Sequence, residues 1–369
     1  MSKAADLASL ASASETALSN RNIVINGAMQ ISQRATSATI SDGANEGYRT
    51  LDRWRVLFSS SAGGVATMSQ DTTVPNTSFK NSIKIDVTTA DTSVSANHAI
   101  TLQQRFEAQD IANSGWDYTN SNAYMSVSFW ARSTKAGTYC VFLFTQDGTP
   151  KNFVQEYTLV ANTWKYVTFN VKGDSGISFN DDNGNGLIVG WTLVAGSNRY
   201  DGVTAGQWIT TSSGSGQGRY ATSNQVNFFD STSNDWYITG VQMEVGPVAT
   251  PFEHRSFGQE LALCQRYFCK TQPQSVAALT WSWNGAPTIP PNTGDRNWGG
   301  QFPVAMRTTP TVVVLSTDSS TGHVYVAGAA VNAAAADAGE FGFRLTITEG
   351  GGVGIGEDAA LNWNADAEL

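Results

Sequence analysis

The sequence predicts an all-β protein: a large jelly-roll-like antiparallel β-sandwich and a smaller C-terminal β-sandwich, with a short N-terminal helix and one connecting helix. The first observation behind this prediction is that apolar and polar residues alternate along many short segments, which is the period of a strand with one buried face. The second is that turns rich in Gly, Asn, Asp and Ser join these segments. No strand–helix–strand rhythm occurs, so antiparallel sheets are expected.

The composition indicates a folded protein with a weakly charged surface. Of the 369 residues, 41% are hydrophobic and 11% aromatic, whereas only 14% are charged. The formal net charge of −9 argues against a protein that binds the phosphate backbone of nucleic acids. No apolar run approaches the roughly 18 residues of a membrane helix, so no membrane insertion is expected. Neither a phosphate-binding loop nor a dinucleotide fingerprint occurs, and no cofactor is expected.

The three cysteines, Cys140, Cys264 and Cys269, are too few for a disulfide framework. Cys264 and Cys269 are five residues apart on a predicted helix, so their side chains should diverge and remain unpaired. The N-terminus lacks a basic segment followed by an apolar stretch, and we expect no secretory signal. Synthesis in a reducing cytoplasm combined with an uncharged, aromatic-rich surface fits a virion component, although other protein classes share this combination.

Residues 1–20 predict a short helix, because Leu7 and Leu10 begin a narrow stripe of small apolar residues at helical spacing. Such an Ala/Ser-rich helix is marginally stable alone. We therefore expect residues 1–22 to be an attachment segment that packs on copies of itself or on another protein. The alternative is a frayed terminus.

Residues 23–255 predict the large sandwich. The clearest alternation places Met125, Val127, Phe129 and Ala131 on one face of a strand, and Ser126, Ser128, Trp130 and Arg132 on the other. In the segment DWYITGVQMEVG, the same rule predicts one face that comprises Tyr237, Thr239, Val241, Met243 and Val245. Asn26 and Gly27 are typical of a tight turn after a strand at Ile23–Ile25.

Residues 256–270 predict the connecting helix. Ser256 and Gln259 form a capping box at its start. Phe257, Leu261, Cys264 and Phe268 follow at 4-3-4 spacing, which is the seam of a packed helix. The seam leaves two alternatives open: the helix covers an edge of the sandwich, or it meets its symmetry mates at a threefold axis.

Residues 271–369 predict the small sandwich, with strands at Thr311–Ser316, His323–Ala327 and Phe341–Thr348. A loop before these strands is rich in tryptophan and polar groups. Exposed indole faces stack on sugars, while amides and charged groups bind hydroxyls, so this loop is a candidate glycan site. The alternative is that its tryptophans pack under their own loop or in a subunit interface. The candidate residues are Trp281, Trp283, Trp298, Asn284, Asp295 and Arg296.

Asp181, Asn183 and Asn185 occupy the first, third and fifth positions of a calcium-loop pattern, with Gly186 at the sixth. The twelfth position is Thr192 instead of Glu, so an Asx-rich turn is the alternative that we favour, and we predict no metal site. The three histidines lie far apart without a motif. No catalytic group is therefore assigned, and we expect the protein not to be an enzyme.

Several segments, taken in order, resemble a family of bacteriophage tail-fibre or tail-appendage proteins, many of them from marine phages. The resemblance covers residues 1–270 and, more weakly, 300–315. It is most specific over residues 237–268, where VQMEVG, ATPFEHR and ELALCQRYF follow one another. The segments are RNIVINGAMQISQRATS, YRTLDRWRV, SVSFWARSTKAGTY, DWYITGVQMEVGPVATPFEHRSFGQELALCQRYF and FPVAMRTTPTVVV.

The resemblance implies a virion structural protein with a carbohydrate-binding-module-like sandwich, a homotrimeric state and an N-terminal attachment segment. We therefore expect a tail fibre or receptor-binding protein, made in the host cytoplasm and located in the virion. Its expected partners are its own copies, other tail or virion proteins and host surface polysaccharide. Two rival hypotheses stay open. One is a structural or decorating protein of the baseplate, collar or head, and the other is a polysaccharide depolymerase.

Overall fold

The computed structural model describes residues 20–211, 218–271, 296–315, 323–326, 329–347, 359–360 and 362–369. At 296–299, 315, 323–326, 329–336, 345–347, 359–360 and 362 the description is of the backbone. The chain divides into two compact units, Met1–Phe257 with Leu369 and Gly258–Glu368. Among the described residues, no helix is long and apolar enough to cross a membrane.

The first unit consists almost entirely of antiparallel strands. Short 3₁₀ turns lie at Gly43–Asn45, Ser197–Arg199 and Phe228–Asp230. In chain order, the strands and the helix are β1 (Ser37–Ile40), β2 (Gly47–Tyr48), β3 (Arg55–Ser59), β4 (Val65–Asp71), β5 (Ser82–Thr89), β6 (Ala99–Glu107), α1 (Ala108–Ala112), β7 (Tyr124–Ser133), β8 (Gly137–Thr145), β9 (Lys151–Leu159), β10 (Lys165–Lys172), β11 (Asn185–Ala195), β12 (Trp208–Thr210) and β13 (Asp235–Val245).

These strands form the two layers of a sandwich, as the alternation in the sequence predicts. The six-stranded sheet has the order β1-β4-β5-β13-β7-β10, and the seven-stranded sheet has the order β12-β9-β8-β11-β6-β3-β2. The inner faces meet in one apolar core. At its centre, the ring of Trp191 lies 5.5 Å from Trp54 and 5.4 Å from Phe129, and all three side chains are fully buried. Such aromatic contacts join the two sheets.

The strand β13 changes its neighbour half-way along. On one side it pairs with β7, but on the other side its pairing with β5 stops at Ile238. The N-terminal segment 22–28 then takes over: Ile23 N donates to Met243 O (2.9 Å), and Val241 N donates to Gly27 O (3.0 Å). A bulge between Thr239 and Gln242 marks the change.

This bulge corrects one predicted face. Gly240 has a φ of +63°, and the extra residue there inverts the alternation along β13. As a result Val241 and Met243 join Ile238 in the core, whereas Tyr237 and Thr239 belong to the opposite face. The predicted common face of Tyr237 to Val245 is therefore wrong beyond residue 239. Alternation alone cannot reveal an inserted residue.

The predicted tight turn at Asn26 and Gly27 is confirmed, although the described structure assigns no strand to Ile23–Ile25. Asn26 has a φ of +58° and is fully buried. Its side-chain amide donates to Ile31 O (2.8 Å) and Asp52 O (3.0 Å), and its Oδ1 accepts from Ile31 N (2.9 Å). Its main-chain oxygen accepts from Trp54 Nε1 at 3.1 Å. One asparagine thus ties the N-terminal segment to the core.

The described residues of the second unit form one helix and two further sheets. The sheets have the orders β14-β21-β16 and β15-β19-β18-β17-β20. Phe302, Phe343 and Trp363 form its buried aromatic centre, with ring centroids 5.3–5.8 Å apart. The elements are α2 (Phe257–Gln265), β14 (Phe268–Lys270), β15 (Arg296–Gln301), β16 (Thr311–Leu315), β17 (His323–Val326), β18 (Ala329–Gly339), β19 (Gly342–Ile347), β20 (Ala359–Ala360) and β21 (Asn362–Asp366).

Three strands of this unit coincide with the predicted ones within about a residue at each end, namely β16, β17 and β19. The alanine-rich strand β18 was not predicted, because Ala-rich sequence favours helices.

The predicted helix 256–270 is too long. It begins at Phe257, directly after the predicted cap Ser256, but ends at Gln265. Phe268 lies on β14, whose partner β21 is nearly a hundred residues away in sequence. The buried side of α2 carries Glu260 and Cys264, while Phe257 is 60% exposed. The predicted seam of Phe257, Leu261, Cys264 and Phe268 is therefore not a single packed stripe, because strand pairing overrides the helical pattern.

The close approach of Gly27 to β13 generates a stability prediction. A Cβ at this position would lie 2.1 Å from Val241 O, so the substitution Gly27→Ala must push the N-terminal segment off the strand. We expect a loss of about 1–3 kcal/mol, as is usual for overpacked cores, and a lower thermal unfolding midpoint by circular dichroism. Gly258→Ala is the control, since no atom lies within 4 Å of its Cβ position. Equal midpoints for both variants would contradict the prediction.

The cysteines generate a second prediction. All three are buried and none forms a disulfide, as their number predicts, although Cys269 lies on β14 and not on the predicted helix. Burial raises the pKa of Cys140 to about 11 and that of Cys269 to about 12. Both thiols thus stay protonated and shielded at pH 8, and only the thiolate reacts. A colorimetric thiol reagent should detect no cysteine in the native protein and three after denaturation. Prompt labelling of native protein would count against this packing.

Candidate functional site

A group of aromatic side chains lies on the outer face of the six-stranded sheet. Trp130 on β7 points away from the core because its neighbours Phe129 and Ala131 point into it. Tyr166 on β10 is directly opposite Trp130 in the register, and Tyr237 on β13 is opposite Arg132. Trp164 immediately precedes β10. We call Trp130, Trp164, Tyr166 and Tyr237 the aromatic patch.

The rings of the aromatic patch lie close to one another and partly open to solvent. The centroids of Trp130 and Tyr166 are 5.2 Å apart with planes inclined by 42°, and those of Trp164 and Tyr237 are 6.1 Å apart. Tyr166 is 41% exposed, both tryptophans are half-buried, and Tyr237 is buried beneath them. The patch therefore combines a fixed base with accessible ring surface.

A second aromatic group continues the patch across β13. Phe79, Phe252 and His254 have ring centroids 4.9–5.5 Å apart. A Cβ on Gly240 would lie 2.7 Å from Phe79 and 3.2 Å from Trp130, so the missing side chain lets these two rings approach over the bulge. The apolar surface thus runs from Tyr166 to the exposed ring of His254.

The charges beside the aromatic patch balance one another. The Arg132 guanidinium lies 5.0 Å from the Tyr237 ring centroid and donates to the side chain and main chain of Asn162, which fixes it. Lys84 Nζ lies 3.1 Å from Asp235 and 3.6 Å from Asp86. Two cations thus face two carboxylates.

Burial and the contact with Asp235 shift the pKa values of Lys84 and Tyr237. Partial burial alone would lower the pKa of Lys84, but the hydrogen bond and charge of Asp235 outweigh it and the pKa is raised. Burial also raises the pKa of Tyr237, and Asp235 adds to the effect. Lysine and tyrosine therefore keep their protons at neutral pH, and both side chains contact Asp235.

The exposed rings retain polar groups for a ligand. Within the described residues, nothing accepts a hydrogen bond from the indole N–H of Trp130 or Trp164 or from the hydroxyl of Tyr166, and neither indole nitrogen is buried. Flat apolar rings with accessible donors and a neutral rim suit a ligand that has both C–H faces and hydroxyl groups. The arrangement can bind such a molecule by stacking.

The predicted glycan site and the aromatic patch have no residue in common. Trp281, Trp283, Asn284 and Asp295 lie outside the described residues. Arg296 and Trp298 lie on β15, where their backbones pair with Ile347 and Leu345 of β19. The tryptophan-rich loop therefore stays a prediction.

The predicted attachment residues divide in the same way. Leu7 and Leu10 lie outside the described residues. Phe257 is exposed and Leu261 is half-buried on α2, whereas Phe268 is buried on β14. No contact with another chain tests their predicted role.

The candidate calcium residues lie in a turn before β11. Asp181 Oδ1 accepts a hydrogen bond from Asn113 Nδ2 (2.8 Å), and Asp182 Oδ1 accepts one from Gly184 N (2.9 Å), which is the geometry of an Asx turn. Asn183 precedes that glycine, and Asn185 begins β11. Across the part of the chain that the structure describes, no three His, Cys, Asp or Glu side chains are grouped to hold a metal ion.

Sequence reasoning missed the aromatic patch, although one signal for it was present. Trp130 alternates with apolar residues along its strand and falls on the same side as Ser126, Ser128 and Arg132. A large aromatic residue on the polar side of a strand exposes its ring to solvent unless another element covers it. Such a residue therefore marks a candidate binding surface.

Comparisons with known proteins found no matching family model. No curated protein matches the chain either.

Solved structures with a similar fold are mostly carbohydrate-binding modules. A family 4 module has a TM-score of 0.30 at 15% identity, covering 60% of this chain and 98% of its own. The family 11 module from Clostridium thermocellum, in complex with a β-1,3-1,4-mixed-linked tetrasaccharide, has a TM-score of 0.28 at 11% identity, covering 60% and 99%. A cyclase from Fischerella sp. TAU has a TM-score of 0.28 at 9% identity, covering 58% and 86%. Such low values carry no ligand or residue role over to this chain.

Proposed function

We propose that this protein binds glycans through the aromatic patch. The observation that carries the proposal is the set of accessible rings on an outer sheet face, with Trp130 and Tyr166 in adjacent strands. Their centroid distance of 5.2 Å is close to the length of one sugar unit, so one pyranose ring can contact both side chains. The balanced charges nearby favour an uncharged sugar over an acidic one.

We further propose that the protein is a homotrimeric bacteriophage tail fibre or receptor-binding protein of the virion. The support is the sequence resemblance described above, together with a net charge of −9 that opposes adsorption to an anionic cell surface. Attachment must then rest on specific contacts. Three copies of a weak site, on several fibres, would convert low single-site affinity into firm attachment. In this proposal the protein binds polysaccharide without cleaving it.

Affinity electrophoresis in gels that contain neutral polysaccharides (a mixed-linkage β-glucan, a xylan and a galactan, each in turn) tests glycan binding. We expect retardation in at least one gel, and a loss of affinity of about tenfold or more for Trp130→Ala and Tyr166→Ala, equal to about 1.4 kcal/mol.

Tyr124→Ala is the matched control for this experiment. Tyr124 is on the same face of β7, but it lies at the other end of the strand beside Lys172. Its loss should leave retardation unchanged. If Trp281→Ala abolishes retardation while Trp130→Ala does not, the glycan site is in the C-terminal loop instead.

The oligomeric and enzymatic parts of the proposal have separate tests. Sedimentation equilibrium should give three times the chain mass of 39.4 kDa, and Leu7→Asp with Leu10→Asp should reduce the mass. Incubation with the polysaccharide that binds should release no oligosaccharides. A monomeric mass would contradict the trimer, and released oligosaccharides would support the depolymerase hypothesis.

A further inference from the structure

A guanidinium group lies beside the aromatic patch. Arg132 follows Trp130 by two residues on β7 and shares its outer face, since Ala131 between them points into the core, so their Cα atoms are roughly 7 Å apart. Arg132 lies opposite Tyr237 of β13, and its Cζ is 5.0 Å from the centroid of that ring. A sugar that stacks on Trp130 therefore comes within reach of this side chain.

One edge of this guanidinium is held by the turn between β9 and β10. Nε of Arg132 donates to Asn162 O (3.1 Å), and its Nη2 donates to Asn162 Oδ1 (3.3 Å). Asn162 is itself fixed, because its φ is +62° and its main-chain N donates to Ser133 O (2.7 Å). With Tyr237 beneath it and Asn162 at its edge, the guanidinium is oriented before a ligand arrives, which lowers the entropic cost of binding.

The far end of the Arg132 guanidinium is open to a ligand. A guanidinium has five N–H donors, and Asn162 accepts from two of them. Within the described residues, no further acceptor contacts this group, and its Nη1 is not buried. The end of the side chain therefore presents two parallel N–H donors, one on Nη1 and one on Nη2. Such a fork matches two oxygen atoms that lie side by side.

The charges around Arg132 favour neutral oxygen atoms over a carboxylate or a phosphate. Burial raises the pKa of Tyr237, and the negative charges of Asp235 and Asp71 raise it further. Lys84 compensates Asp235, from which its Nζ is 3.1 Å away. Because like charges repel, the remaining carboxylate opposes an anionic ligand at this place. Two adjacent hydroxyl groups of an uncharged sugar offer the same pair of acceptor oxygens without that repulsion.

We propose that Arg132 determines which neutral glycans bind, by donating to two adjacent hydroxyl oxygens of the sugar that stacks on the aromatic patch. This inference rests on the proposed glycan binding and adds the class of glycan. A sugar inside a β-1,4-linked chain keeps the hydroxyls on its second and third carbons free, whereas a β-1,3 linkage consumes one of that pair. The site therefore selects β-1,4-linked chains over β-1,3-linked ones.

Affinity electrophoresis of the full chain tests this selectivity. The probes are a β-1,4-xylan, a β-1,4-galactan and a mixed-linkage β-glucan, compared with a linear β-1,3-glucan in which only the chain end offers the hydroxyl pair. We expect at least one of the first three to bind about tenfold more tightly than the β-1,3-glucan. Equal or tighter binding of the β-1,3-glucan would overturn the role of Arg132 and leave glycan binding standing. No retardation in any gel would overturn both.

Two variants separate hydrogen bonding by Arg132 from a structural role. Arg132→Met keeps the aliphatic stem and should weaken binding of the preferred β-1,4-linked chain by about tenfold or more, without weakening that of the β-1,3-glucan. Arg132→Lys keeps a positive charge near Tyr237 but lacks the fork, so it should lose the preference as well. It also carries the test if Arg132→Met fails to fold by circular dichroism. Full affinity in Arg132→Lys, or an equal loss for both kinds of chain, would overturn the proposal.

Lys172→Met is the matched control. Lys172 is also a cation beside a tyrosine on the outer face of the same sheet, with its Nζ 5.7 Å from the ring centroid of Tyr124, but it lies at the other end of the strands. Its loss should leave every affinity unchanged. A loss as large as that of Arg132→Met would show that surface charge alone governs binding, and would overturn the assignment to Arg132.

Discussion

The fold depends on how the central strand β13 satisfies its backbone. Buried N–H and C=O groups must be paired, and the pairing of β5 with β13 ends at Ile238. The N-terminal segment supplies the missing partners, with Asn22 adding side-chain contacts: its Nδ2 donates to Val241 O and its Oδ1 accepts from Met243 N. The bulge at Gly240 makes this exchange possible. It also brings Phe79 and Trp130 together above the strand, so the architecture of the core and the aromatic surface share one cause.

The outer face of the six-stranded sheet combines aromatic rings with charges that compensate one another. Because a ligand is recognised by what it can pair with, a face of this kind suits an uncharged partner better than a charged one.

The sequence allowed the fold class, the start of α2 and the edges of three late strands to be predicted, since these follow from local period and capping. The end of α2 could not be predicted, because Phe268 pairs with Asp366, and a contact so distant in sequence leaves no local signal. The face on which Val241 and Met243 lie could not be predicted either, because it depends on the bulge between Thr239 and Gln242. The outward position of Trp130 could have been recognised from the alternation along β7. Its proximity to Phe79 arises only in the folded sheet.

The pairing of the N-terminal segment with β13 also determines when the sandwich can assemble on the ribosome. Asn22 and Val241 are 219 residues apart in sequence, so their hydrogen bond closes a loop that comprises most of the domain. The core cannot close while β13 is still in the exit tunnel, and the earlier strands must wait with unpaired edges. Such non-local topology slows folding and exposes the nascent chain to aggregation. A protein of this design is expected to need chaperones during synthesis more than one whose contacts are local.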